Sequence, residues 1–224
     1  MMRHNVRPFR PLLALRRLFV GQPRGTVATR DDLTDLLAAQ GAYVSQRTVL
    51  EYCRARTGVN WDKLLQEELF VRSFEICRWD AYATLLPEIA ELALIRLRRH
   101  GALDPQSYLS GLVEAARAAL LRHPVPAHRS SWSEAAAEID RHLAIALLAA
   151  PRPVHLMGFD ASDAIFEALP IHPDLRREDR EMFRNSLRFA LCHVFEEMTR
   201  RLDVPALEAS LQNDGRKPEA EPAP

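Results

Sequence analysis

Residues Thr29–Arg56 read TRDDLTDLLAAQGAYVSQRTVLEYCRAR, and the way this stretch folds decides how the rest of the chain is arranged. Thr29 supplies a hydroxyl suited to capping a helix, and Asp31 and Asp32 in the next turn complement its positive pole. Leu33, Leu36 and Leu37 recur at helical spacing and mark the inner face. Gln40-Gly41 then reads as a stop, since glycine tolerates the left-handed backbone that commonly ends a helix. Ser45 reads as a second cap, with Val49, Tyr52 and Cys53 carrying the next helix to about Thr57-Gly58. The stretch therefore predicts two short helices, Asp31–Gln40 and Gln46–Arg56, around a glycine turn.

Upstream, Leu12, Leu13, Leu15, Leu18 and Phe19 predict an amphipathic helix over Pro11–Val20, closed by Gly21, Pro23 and Gly25. It would complete a three-helix unit over residues 11–58, preceded by a basic arm at residues 1–10. Arg3, Arg7, Arg10, Arg16, Arg17, Arg24 and Arg30 all precede the first acidic residue, Asp31.

Downstream, helical patterning continues with no alternating strand pattern. A greasy helix is expected over Trp61–Thr84, ended, kinked or restarted by Pro87 and continuing to Gly101. Asp104-Pro105 opens another helix to about His123. Ser131-Trp132-Ser133-Glu134 has capping-box spacing for one that ends at Pro151, and Asp160 caps a brief helix. The last long helix is expected over Asp174–Leu202, with Phe183, Leu187, Ala190, Leu191, Val194, Phe195 and Met198 on its apolar side. Residues 204–224 are expected to be mostly disordered, because the Pro-, Glu- and Asn-rich end carries too little apolar surface to offset ordering entropy. The fold class is thus all-α: a small N-terminal unit followed by a helical bundle over residues 59–203.

The chain has 224 residues, 47% of them hydrophobic, which is enough to bury a core. Lys+Arg and Asp+Glu are equal at 30 each, so no global field announces a charged partner. Cys53, Cys77 and Cys192 lack the spacing of a disulfide framework or zinc ribbon, which suits a reducing cytoplasm. No window offers the roughly twenty apolar residues of a membrane-spanning helix.

A DNA-reading helix-turn-helix needs a three-helix platform and a second helix whose N-terminal side chains meet base edges. On that reading Gln46 and Arg47 reach bases, while Ser45, Thr48, Arg16, Arg17, Arg24 and Arg30 meet phosphates. The segments Thr29–Leu33, Leu37–Gly41 and Val44–Val49 resemble the N-terminal helix-turn-helix of arginine-repressor-type regulators, over about an eighth of the chain. Where that family has the strands of a wing, this chain continues as Trp61-Asp62-Lys63-Leu64-Leu65, so neither arginine binding nor that family's assembly carries over. The layout of small reader and larger helical body is similar to the tetracycline-repressor family. That likeness implies a ligand pocket in the body and dimerisation through the last long helices.

Other chemistry is sparse. His123, His128, His155 and His172 come nearest to a loop cluster, but there is no H-E-x-x-H and no Glu-x-x-His, so no metal or cofactor is assigned. Cys192 beside His193, and Cys77 between Phe74 and Trp79, read as core. No phosphate-binding glycine loop or nucleophile elbow is present, so no catalytic residue is assigned. The leading expectation is a non-enzymatic, DNA-binding transcriptional regulator that reads the major groove with helix 46–56. The alternative is a helical adaptor or assembly factor that binds partner proteins, its basic arm touching a membrane surface.

Overall fold

Residues 30–57 form one unbroken helix, α1 (Arg30–Thr57), in the computed structural model, which describes residues 25–214. Its start matches the sequence reading. The Thr29 hydroxyl accepts from the Asp32 N–H at 3.1 Å while the Asp32 carboxylate accepts from the Thr29 N–H at 3.0 Å, a reciprocal cap. The expected turn at Gly41 is absent. Ser45 caps nothing; its hydroxyl donates to the Ala42 carbonyl at 3.2 Å, inside the helix. The helices expected at Asp31–Gln40 and Gln46–Arg56 are two halves of α1.

Gly41 is needed for contact, not for a turn. A Cβ at that position would lie 2.8 Å from Cε2 of Tyr82, so the glycine lets α1 press directly against the ring. The intrinsic helix penalty of an interior glycine, about 1 kcal/mol relative to alanine, is outweighed by that packing. The expected helix Pro11–Val20 and residues Arg16, Arg17 and Arg24 lie outside the described residues.

After Gly58–Asn60 and the single turn α2 (Trp61–Leu64), the chain enters α3 (Glu68–His100). Pro87 neither ends nor restarts this helix, which runs through it for 33 residues. Burial explains the tolerance: Leu85, Leu86, Ile89 and Leu92 are fully enclosed around the proline, and packing on several sides offsets the lost backbone bond.

α3 is the axis of the bundle. Around it stand α1, α4 (Pro105–Leu121), α5 (Ser133–Leu148), α6 (Phe159–Ala168), α8 (Arg180–Arg201) and α9 (Val204–Asp214). Asp104 caps α4 as expected, accepting from the Gln106 N–H at 3.2 Å. The long helix expected from Asp174 is interrupted; a single turn, α7 (Pro173–Arg176), precedes α8. Leu33 and Val49 of α1 belong to the same core cluster as Leu92 of α3 and Leu112 of α4.

α9 corrects the expected disorder of residues 204–224 over its own length. Leu207 and Leu211, one turn apart, are fully buried, and the Glu208 carboxylate accepts from the Ala102 N–H at 3.0 Å beyond the end of α3. Two well-placed leucines and one buried carboxylate order this segment despite its polar composition. An isolated bridge between Val27 and Leu202, with the Asp203 N–H donating to Val27 at 3.0 Å, fastens the chain ahead of α1 to the end of α8. The described residues are all-α, and no helix among them is long and apolar enough to cross a membrane.

Candidate functional site

The side chains expected to meet DNA from helix 46–56 and its cap, Gln46 and Arg47 at bases and Ser45 and Thr48 at phosphates, do not share an exposed face. Ser45 is 1% exposed, Gln46 5% and Thr48 9%, all turned inward from α1. Gln46 lies against Arg78 and Trp79 of α3, and its Nε2 has no hydrogen-bond partner. A recognition helix requires these N-terminal positions to project into a groove of DNA, so the geometry anticipated for Ser45, Gln46 and Thr48 is absent. The physical reason is the missing turn: with α1 continuous, the face holding Leu37 and Val44 also carries Ser45 and Thr48 into the core. Arg47 does face solvent, where its guanidinium donates to Glu51 at 2.8 Å and to the Tyr43 hydroxyl at 2.7 Å. Arg30 stands at the far end of the helix and pairs with Glu114 at 2.9 Å.

Arg47 belongs to a different feature. α1 and α8 run antiparallel, since Val27 meets Leu202 at one end and Tyr52 meets Asp179 at the other. Between them lies an open groove of about 340 Å³. One wall carries Tyr43, Arg47, Glu51 and Ala55 at one-turn intervals, and the other carries Met182, Ser186, Phe189 and His193 at alternating spacings of four and three. Phe189 is 79% exposed and Met182 55%, although both sit on a helix that buries Leu187 and Leu191 on its opposite side.

The walls are fixed at their base. The Tyr52 hydroxyl donates to Asp179 at 2.8 Å, and the Arg56 guanidinium grips both oxygens of the same carboxylate. Burial opposes ionisation of Asp179, yet these hydrogen bonds prevail and hold its carboxyl below its ordinary range. Burial, and then the bond to Asp179, push the Tyr52 phenol up to about 12. Tyr52 also meets Phe183 edge-to-face at 5.4 Å, so the groove floor is locked by both polar and aromatic contacts.

A second arrangement, sharing no lining residue with the groove, lies where α3, α5 and α6 border a cleft of about 400 Å³. Glu88 and Glu91, one turn apart on α3, are 6% and 3% exposed. His142 Nε2 of α5 sits 2.7 Å from Glu91, and the Arg152 guanidinium donates to Glu91 through two nitrogens, one at 3.0 Å. Gly158, in the left-handed region at φ +78°, brings its backbone N–H near enough to Glu88 to favour the ionised carboxyl. Burial pushes the Glu88 carboxyl up, whereas for Glu91 burial is overcome by the bonds from His142 and Arg152, which hold it down.

No family model, curated protein or solved structure matches this chain.

The remaining residues singled out from sequence are structural in their surroundings. Burial pushes the Cys53 and Cys77 thiols up to about 12, which removes the thiolate a nucleophile needs. His123 is packed among Trp79, Tyr82 and Trp132. His128 instead sits 3.0 Å from Asp80, and His172 Nδ1 accepts from the Asp174 N–H at the start of α7. The histidines therefore form no joint cluster. What sequence reasoning missed is Glu88-x-x-Glu91, two carboxylates inside the otherwise apolar run Leu85–Ile95, a signal that points to a buried polar site.

Proposed function

We propose that this protein is a helical adaptor that holds a partner protein by seating one amphipathic helix of that partner in the α1–α8 groove. The observation that carries this reading is the exposure of Phe189 and Met182 on the groove wall, beside a floor already locked by Tyr52, Phe183 and Asp179. Large apolar side chains set at a groove and rimmed by polar residues are the usual mark of a protein-binding surface.

The groove's form sets the class of occupant. Met182 to His193 spans about 16 Å, or three helical turns, which suits anchors at i, i+3, i+4 and i+7 of an incoming helix. Tyr43 and Arg47 on the facing wall are residue types that dominate binding energies at such contacts. Arg47 and Glu51 on the rim already neutralise one another, so the groove selects by apolar fit rather than by field. Two copies pressed groove to groove would face concavity with concavity, whereas a partner helix supplies a convex ridge. The duplex-DNA reading retains Arg47 and Arg30, but Glu51 and Glu114 engage them, and Gln46 is turned inward.

The test places a photo-crosslinking amino acid at Phe189 and, as a control, at exposed Leu148 of α5 in the source cell, with nuclease treatment. A defined helical segment of another protein attached at 189 and absent at 148 supports the proposal. Attachment of a second copy, of nucleic acid or of lipid at 189 overturns it, as does the same yield at both positions.

A further inference from the structure

Three metal-ligating side chains meet at the cleft between α3, α5 and α6, away from the groove. One atom each from Glu88, Glu91 and His142 can be chosen so that all lie within 4.8 Å of one another. Ligands held roughly 2.0–2.2 Å from a shared ion stand at most about 4.4 Å apart, so the three groups are near coordinating separation and would draw in slightly onto an ion. The two carboxylates come from successive turns of α3 and the imidazole from α5, so the bundle itself sets their convergence.

The contacts within the cluster leave one group unserved. Glu88 is 94% enclosed, its Oε2 has no hydrogen-bond partner, and the nearest Arg152 nitrogen stands 3.5 Å away. Two buried carboxylates thus face a single guanidinium whose side chain is 42% exposed. Buried charge demands compensation, and a cation inserted among these three ligands would provide it for both carboxylates at once.

We propose that Glu88, Glu91 and His142 form a site for one divalent first-row transition-metal ion, with Arg152 the resident counter-cation that the ion displaces. An imidazole with two carboxylates favours an ion of the manganese-to-zinc series over calcium or magnesium, which take all-oxygen sets. Three protein ligands leave a further coordination position toward the 400 Å³ cleft. Arg152 has a place to go: it is the most exposed member of the cluster, and Asp160 on the same cleft attracts it.

The experiment titrates the purified full chain with Co²⁺, followed by visible absorption, and with Zn²⁺, followed by calorimetry. One ion per chain is expected. Glu88→Gln and His142→Ala should each weaken it about tenfold or more, and Arg152→Gln should tighten it about tenfold because the competing guanidinium is gone. Far-UV circular dichroism checks each variant's fold; if Glu88→Gln does not fold, His142→Ala at its half-buried position carries the comparison, and Arg152→Met does so for Arg152→Gln. Absence of one-to-one binding up to about 1 mM by both the wild type and the Arg152 variant overturns the proposal, given that such sites bind far more tightly. So does binding that His142→Ala leaves unchanged.

Discussion

A Cβ built on Gly41 would stand 2.8 Å from Cε2 of Tyr82, so the backbone of α1 rests directly on the Tyr82 ring of α3. Residues 30–57 run through this contact as one helix. Gly41→Ala should therefore destabilise the protein by about 1–2 kcal/mol: overpacking a core costs roughly 1–3 kcal/mol, and alanine's better helix propensity returns up to about 1. Tyr82→Leu is costly on its own, because the ring is buried and its hydroxyl donates to the Ala119 carbonyl at 2.8 Å. In the double variant the two losses should sum to less than their total, since the clash disappears with the ring. Urea unfolding of the four proteins measures the coupling, and strict additivity would count against the contact.

Gln46 gives a second prediction, in the opposite direction. Its Nε2 is buried without an acceptor, an arrangement that costs stability rather than providing it. Gln46→Met keeps the volume against Arg78 and Trp79 while deleting that group. Thermal and urea unfolding should show stability unchanged or raised by up to about 1 kcal/mol. A loss of more than about 1 kcal/mol would mean that the amide has a partner in solution.

The Asp179 clamp makes stability depend on pH in a defined sense. Its carboxyl is held below its ordinary 3.8 in the folded protein, so the contribution is fully present above about pH 4 and is lost as pH falls through the lowered value. Asp179→Asn should be less stable than the wild type at pH 7, and the gap should shrink as the pH drops below about 4. Unfolding midpoints at pH 7, 4 and 3 test this; a gap constant across the series would contradict it.

The fold class was legible because it rests on period and caps. Thr29 and Asp104 open their helices as read, and the apolar spacing of Phe183, Leu187, Leu191, Val194 and Met198 is buried along α8. What misled is local chemistry overridden by tertiary contact. Gly41 and Pro87 carry the marks of a stop, but each lies where neighbouring helices close over it. Asp160, read as a cap, lies inside a helix that begins at Phe159, while the Ser131 hydroxyl does accept from the Ser133 N–H at 3.2 Å, with the helix there starting at Ser133.

The two candidate sites were hidden for different reasons. Met182 and Phe189 fall outside the inner-face spacing of α8, and that departure was the available sign of a second, outward stripe. The carboxylate cluster joins Glu91 to His142 across 51 residues of sequence, a separation that no helical period can bridge. Only the packing of α5 against α3 brings them together.

On the proposed reading the α1–α8 groove, with Phe189 at its wall, is the working face of the protein. It is tested most directly by the affinity of the purified Phe189→Asp variant for the partner captured at that position, measured by calorimetry beside the wild type and Gln46→Met. Position 189 is already exposed, so its fold should be kept. Phe189→Asp should weaken the complex by about 2 kcal/mol or more, roughly thirtyfold, while Gln46→Met leaves it unchanged. Equal affinity of Phe189→Asp and wild type would contradict it.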